Sequence, residues 1–406
     1  MKKINKEKYL IGLCWLVYTC SYIGRLSYNS NISQIGNEFN LSYSQTGLVT
    51  TFFFFAYGIG QVVNGIFCKK YNIKYIIFSS LIVSSIANIL LVNINNPEYF
   101  KYIWMINGIS MSFLWTSLIR LLSENISKER IGQAIVVMGT TVAIGTFLIY
   151  GISSIFTGLL NYRYTFYLAS ILLIVVAIVW IVSFNKLAYL NIEIEEKKIN
   201  TNNDKISSLG FFIVVLAVFA VINNFIKDVL PVWTADILDS LYDTDDWLSI
   251  FLTLFLPMLA VMGTIVAVNL NKKIKNFVTL CEVLYSVALV LIILVVVLIY
   301  KNMLIVTLSC FALTSCLMAS VNNVITSMIP LKLKDRVNSG KLAGILNGFC
   351  YLGSTLSAYG LGIIADNFGW NSVFITILCV LVIGLILGCI YILTRKGGNN
   401  NEKDIL

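Results

Sequence analysis

Two basic residues, Arg25 and Lys227, stand inside long apolar stretches, where placing a charge is costly enough to point to function. The stretches that hold them occupy equivalent places in the two halves of the chain, the first and the seventh. A cation from each half suits an anion, with Arg offering a planar fork of donors and Lys a point charge. Around Arg25 the polar residues Tyr18, Tyr22, Asn29 and Ser33 recur at three- and four-residue steps, so in a helix they share its face. Around Lys227 the stripe includes Asn223, Asn224 and Pro231, and a later span carries Asn347, Tyr351 and Ser354. Such stripes suit either the lining of a polar cavity or hydrogen-bonded contacts between helices. Two carboxylates, Asp228 and Glu282, are candidates for proton coupling. Asp228 equally suits compensation of the adjacent Lys227, although neighbouring positions in a helix point about 100° apart. Arg120 falls near the end of its span, where a long side chain reaches the interface.

The chain has no histidine, and its nine cysteines form no C-x-x-C pair or Cys/His cluster. The usual zinc donor sets and the side chain that titrates near neutrality are therefore missing. No metal and no cofactor is expected, and any proton coupling falls to carboxylates. The basic residues behind the net charge of +9 lie in short loops between apolar runs, a pattern of topology signals and not of nucleic-acid binding.

The elements that must position these residues follow from composition. Of 406 residues, 58% are hydrophobic and only 12% charged, and the mean hydropathy is +0.84. Runs of ~20 apolar residues, enough to cross ~30 Å of hydrocarbon, recur along the whole chain. A bilayer cannot hydrate exposed backbone, and the runs lack the alternation of barrel strands, so the spans are helices and the lipid bilayer is the main solvent. The predicted spans are Leu10 to Ile35, Thr46 to Cys68, Tyr75 to Val92, Tyr102 to Ser123, Gln133 to Leu159 and Tyr164 to Phe184. After a polar stretch come Leu209 to Leu238, Trp247 to Leu270, Phe277 to Tyr300, Met303 to Ile329, Leu342 to Ala365 and Val373 to Thr394. The expected fold is an all-α membrane protein of twelve transmembrane helices in two six-helix bundles. Residues 1–184 form the first bundle, 185–208 a polar linker, 209–394 the second bundle and 395–406 a tail.

Alternating loops differ sharply in basic content. One set holds the N-terminal lysines, Lys69, Lys70, Lys74, Lys128, Arg130, the linker lysines, Lys272, Lys273, Lys275, Lys332, Lys334, Arg336 and the tail. The other holds Lys101, Arg163 and Lys301. By the positive-inside rule both termini and the linker are expected on the cytoplasmic side. The basic N-terminus leads into a first span without a small-residue cleavage site, which reads as a retained helix.

Two equal halves around a polar linker match the architecture of the major facilitator superfamily, in which two bundles work around a midplane site. GIFCKKYNIK, from Gly65 to Lys74, resembles that superfamily's G-x-x-x-D-R/K-x-G-R/K loop, with Gly65, Lys70 and Lys74 at matching positions. Lys69 stands where the superfamily has an acid, and Asn271 does so in a weaker second copy, AVNLNKK. Within the superfamily the chain resembles the organophosphate:phosphate antiporters, a branch of sugar-phosphate exchangers. The resemblance rests on YIGRLSYNS around Arg25, AYGIGQVVNGIFCKKYNIK, LWTSLIRLLSENISKER, FIKDVLPVW around Lys227, AGILNGFCYLGS and GIIADNFGW. It implies that Arg25 and Lys227 are the two basic residues that grip the substrate anion. Tyr22, Asn29, Asn224 and Tyr351 are expected beside them, and Gly65, Lys70 and Lys74 in a gating loop. The branch's second-helix lysine and fifth-helix histidine correspond here to Gln61 and Thr141, and its W-P-P-C turn to Trp115, Thr116, Ser117 and Leu118. Fewer cations imply a lower positive potential, hence an anion of less charge or a phosphate held by fewer contacts.

The expectation is a secondary transporter and not an enzyme. It is expected to work as a monomer in the cell membrane, a bacterial cytoplasmic membrane, moving a small organic anion by alternating access. A sugar phosphate or other phosphate ester in exchange for phosphate is favoured. The alternatives are a proton-coupled carrier of a carboxylate or sugar using Asp228 or Glu282, and a ligand sensor that does not transport.

Overall fold

A computed structural model of the chain describes residues 3–67, 72–187, 210–333, 337 and 339–396. Among the described residues the apolar runs are helical apart from short interruptions, as backbone without access to water requires. Eleven helical stretches among the described residues are long and apolar enough to cross a membrane. The last of them, Leu342–Thr394, is 53 residues long and is two spans joined at Gly369, whose φ of 73° and ψ of 172° interrupt the helix. Twelve spans result.

The first half comprises α1 (Lys3–Leu26), α2 (Ile32–Phe39), α3 (Tyr43–Phe67), α4 (Ile73–Asn93), α5 (Phe100–Asn125), α6 (Lys128–Gly139), α7 (Thr141–Leu159) and α8 (Arg163–Leu187). The second comprises α9 (Phe211–Lys227), α10 (Val229–Tyr242), α11 (Asp246–Thr253), α12 (Phe255–Ala260), α13 (Gly263–Lys273), α14 (Phe277–Leu298), α15 (Leu304–Asn323), α16 (Ile329–Lys332) and the double helix α17 (Ser339–Lys396). Of the polar linker, residues 188–208 lie outside the described residues, as do residues 397–406 of the tail.

Several spans expected to be continuous are broken. The first divides into α1, a 3-10 turn at Asn29–Asn31, and α2. In the second half three breaks track prolines, and a fourth separates α12 from α13 at Val261 and Met262 without one. Pro231, Pro257 and Pro330 have no N–H to offer the carbonyl four residues back. Accordingly α9 ends at Lys227, α11 ends at Thr253, and Val324–Met328 widens into a π-turn around Thr326.

Helices in lipid approach closely where side chains are small and hydrogen-bond each other's backbone. Ser85 of α4 and Ser170 of α8 do this reciprocally, each Oγ donating to the other's carbonyl at 3.0 Å. A Cβ on Gly353 of α17 would lie 2.1 Å from the Val221 carbonyl oxygen of α9, so only glycine permits that approach.

The chain divides into two compact units. Unit 1 takes residues up to Phe39 and from Phe52 through the sixth span, and unit 2 takes Asn40–Thr51 and the last six spans. Residues 40–51 carry the opening turns of α3, and they are bound within unit 2. The Asp366 carboxylate accepts the Tyr43 and Ser44 N–H groups, each at 2.8 Å, and so caps the start of the helix. The Tyr43 ring packs against Trp233 and Trp370. Asp366 lies in GIIADNFGW, one of the stretches that carried the family resemblance.

Candidate functional site

In unit 1 the site is built where the first span breaks. The carbonyl of Gly24 accepts the side-chain amides of Asn88 at 3.0 Å and Asn107 at 3.2 Å, from α4 and α5. Beyond the break, Asn31 Nδ2 donates to the Ser27 carbonyl at 2.7 Å. These amides satisfy backbone groups that the interrupted helix leaves over, which makes a break tolerable at this depth. Arg25 therefore lies in the last turn of α1, and not near the middle of a continuous helix as its sequence setting suggested. A cation at a helix C-terminus is favoured by the backbone dipoles.

The Arg25 side chain is 8% exposed, and its guanidinium lies over three aromatic rings. The centroid of Tyr57 is 4.4 Å away, Tyr22 5.1 Å and Phe53 5.4 Å. Ring faces attract a cation without cancelling its charge. Tyr22 stands edge-on to Tyr18, which packs on Trp115. Gly145 of α7 lets that helix close on this wall, since a Cβ there would lie 2.5 Å from Tyr22 Cβ. Asn29 begins the 3-10 turn and is buried. Phe53 and Tyr57 were not singled out from sequence. Their signal was the four-residue spacing Phe53, Tyr57, Gln61 within an aromatic run, and Gln61 Nε2 donates to the Tyr57 hydroxyl at 2.9 Å.

In unit 2 the equivalent span breaks at Asp228, and Lys227 lies in the last turn of α9. In an unbroken helix these neighbours would diverge. Asp228 keeps right-handed helical angles, φ −87° and ψ −21°, but the long Lys227 side chain reaches it, and Lys227 Nζ donates to Asp228 Oδ1 in an ion pair whose side chains are 25% and 17% exposed. The other carboxylate oxygen, Oδ2, accepts Ser354 Oγ of α17 at 2.6 Å and Asn224 Nδ2 at 3.0 Å. Asp228 thus both compensates Lys227 and reaches another helix. Tyr351, a turn before Ser354 on α17, is half-buried, as is Asn347.

Glu282 is not among the described partners of this cluster. It is buried in the second turn of α14, with Cys389 Sγ 3.9 Å from Oε2. Gly388 makes room for it, because a Cβ there would fall on the carboxyl group. Of the expected gating loop, Gly65 is in the last turns of α3, Lys70 lies outside the described residues, and Lys74 opens α4. The Asn72 side chain caps that helix through the Lys74 N–H at 3.0 Å, and the Lys74 carbonyl accepts Trp180 Nε1 at 2.9 Å. Arg120 pairs with Glu124, one turn along α5, at 2.7 Å. Among the described residues no group of three or more His, Cys, Asp or Glu could hold a metal ion.

The sequence profile described as Major Facilitator Superfamily matches residues 14–339, most of the chain. The chain belongs to the major facilitator superfamily. As a member it is a transporter and not an enzyme, and with its apolar spans it is a multi-pass protein of the cell membrane. Solved superfamily structures share its fold. The nucleoside transporter NupG superposes with a TM-score of 0.75 at 11% identity, covering 95% of this chain and 99% of that one. A bacterial homolog of the human lysosomal transporter Spinster, inward-facing and occupied, superposes at 0.76 with 13% identity, covering 96% and 97%. A D-xylose-proton symporter superposes at 0.75 with 12% identity, covering 94% and 96%. Among curated relatives, the TsgA homologs of Yersinia enterocolitica and Yersinia pestis are 26% identical over 155 residues. That match covers 37% of this chain and 39% of each relative, well under half of their length.

Proposed function

We propose that this superfamily member moves a small organic anion by alternating access, in exchange for phosphate or another anion. Arg25 of unit 1 and Lys227 of unit 2 are its recognition cations. Tyr22, Asn29, Asn224 and Tyr351 take part as neighbours on the same elements. The observation that carries this reading is the placement of each cation in the last turn of a helix, where the helical hydrogen bonding of its apolar segment is interrupted. Such breaks in transporters supply backbone and side-chain groups to a substrate. Phosphate esters enter as candidates through the resemblance to the organophosphate:phosphate antiporters.

A second reading, proton-coupled movement of a carboxylate or sugar, is favoured by the carboxylate of Asp228 beside Lys227. Counterflow in proteoliposomes separates the two. Efflux of a preloaded anion should accelerate uptake of a labelled one without a proton gradient. Uptake that depends on the gradient and ignores internal anion would favour the second reading, and the absence of any anion flux would remove the first. In the proposed topology both termini and the linker are cytoplasmic, as the lysine and arginine asymmetry of the loops implies.

A further inference from the structure

Within unit 2 a third helix, α15, brings a polar side chain to the cluster around Lys227. Pro330 has no N–H for the Thr326 carbonyl, and the chain answers with the π-turn at Val324–Met328, where the Ile329 N–H reaches back five residues to the Val324 carbonyl. The Thr326 hydroxyl braces the preceding turn by donating to the Asn322 carbonyl at 2.7 Å. Such π-turns recur at functional sites. Two asparagines, Asn322 and Asn323, end α15 just before it, and as neighbours in a helix they point about 100° apart. Asn323 Nδ2 donates to Thr264 Oγ1 of α13 at 3.4 Å. Asn322 turns instead to α17, where Cys350 Sγ lies 3.8 Å from its Oδ1. One turn beyond Cys350 stands Ser354, whose hydroxyl donates to Asp228 Oδ2 at 2.6 Å. Asn322, Lys227 and Ser354 each lie within ~6 Å of the midpoint of their spans, taking ~1.5 Å per residue. Contact between helices is the ordinary use of an intramembrane asparagine, and Asn323 serves it. Asn322 is half-buried and meets a thiol, a weak donor, so it is poorly matched to that use.

We propose that Asn322 is a specificity-determining residue whose amide takes a hydroxyl group of the transported anion, making the carrier selective for hydroxylated organic anions over their deoxy analogues. This rests on the anion-carrier reading above and narrows it. An amide both donates and accepts, as a hydroxyl does, so the two groups match without adding charge to the site. Along α17 the Asn322 contact and the Asp228 contact are one helical turn apart, ~5.4 Å, a span that a hydroxyl a few bonds from an acidic group covers. A site built to bond a substrate hydroxyl disfavours the analogue that lacks it, because the protein group is then left without its partner. The thiol of Cys350 leaves little to displace when a hydroxyl arrives.

The test uses full-length protein and probe pairs that differ only in hydroxyl groups: glycerol 3-phosphate with propyl phosphate, malate with succinate, and 3-hydroxypropanesulfonate with propanesulfonate. Each is measured by thermal shift and by competition for counterflow in proteoliposomes. Wild type should favour the hydroxylated member within any pair that binds. Asn322→Leu should lower the hydroxylated-to-deoxy affinity ratio by roughly two- to tenfold, the worth of one neutral hydrogen bond, with the deoxy probe little affected. Asn323→Leu, at the neighbouring position turned to α13, should leave the ratio as in wild type. Should Asn322→Leu fail to give monodisperse protein, Asn322→Ala carries the same comparison. A wild type that favours the deoxy member, a ratio unmoved in the Asn322 variant, an equal loss for both members of a pair, or the same shift in Asn323→Leu would each overturn the proposal while leaving the anion carrier standing. Failure of every anionic probe to bind or exchange would overturn the anion-carrier reading, and this inference with it.

Discussion

The two halves of the chain make the same interruption by different means. In unit 1 the span breaks after Leu26 because side-chain amides from α4 and α5 capture the Gly24 carbonyl. In unit 2 the span breaks at Asp228 because Pro231 cannot donate to the carbonyl of Lys227. Each break leaves a basic residue in the final helical turn, where the dipole favours it. The surroundings of the two cations then diverge. The Arg25 guanidinium lies over the faces of Tyr22, Phe53 and Tyr57, which stabilise it. Lys227 is held by a carboxylate, which offsets its charge. Equivalent basic positions in a pseudo-repeated protein therefore have different neighbours, aromatic rings at one and a carboxylate at the other.

This contrast can be broken at its strongest point first. Replacing Arg25 with Gln should weaken binding of a transported anion by roughly tenfold to a hundredfold, the equivalent of ~1.5 to 3 kcal/mol for a charge-assisted contact. Arg25→Lys should recover only part of the loss, because it restores charge without the planar fork. Titration calorimetry with an exchanged anion reads both, and wild-type affinity in either variant would count against the assignment. Lys227→Gln should also weaken binding, read in the same titration.

Next is the bracing of the unit 1 break. Asn107 is fully buried, and its amide serves the Gly24 carbonyl. Asn107→Leu should lower stability by about 1 to 3 kcal/mol by leaving that carbonyl short of a donor. Thermal unfolding in detergent measures it, and an unchanged midpoint would mean that Asn88 alone suffices. The smallest effect is expected at the other break. Pro231→Ala restores the missing N–H, so it should straighten the span and slow exchange several-fold more than it weakens binding. Equal losses in turnover and affinity would argue that the proline acts only through local packing.

Much of this was legible in advance for physical reasons. Lipid leaves the backbone no partner but itself, so twelve apolar runs of spanning length had to be twelve helices, and their edges fell within a few residues of the polar punctuation. The break before Pro231 was also readable, since a proline lacks the donor for the carbonyl four residues before it. The unit 1 break was not. No residue between Leu10 and Ile35 is a proline, and the groups that stabilise the opened turn, Asn88 and Asn107, come from helices distant in sequence. The aromatic surround of Arg25 was equally hidden, because Phe53 and Tyr57 belong to another span and look like ordinary lipid-compatible residues.

Sequence alone therefore determined the solvent, the number of spans and the identity of the intramembrane charges, all properties of single segments set by composition and length. Family membership was legible too, through short motifs that survive at low overall identity. Tertiary structure decided which groups surround those residues. Whether a buried cation keeps its charge for a ligand depends on the side chains within a few ångströms of it, and those are chosen by the packing of separate helices and by where a helix opens. Arg25 and Lys227 resemble a matched pair along the chain, and only the fold gives one of them rings and the other a carboxylate.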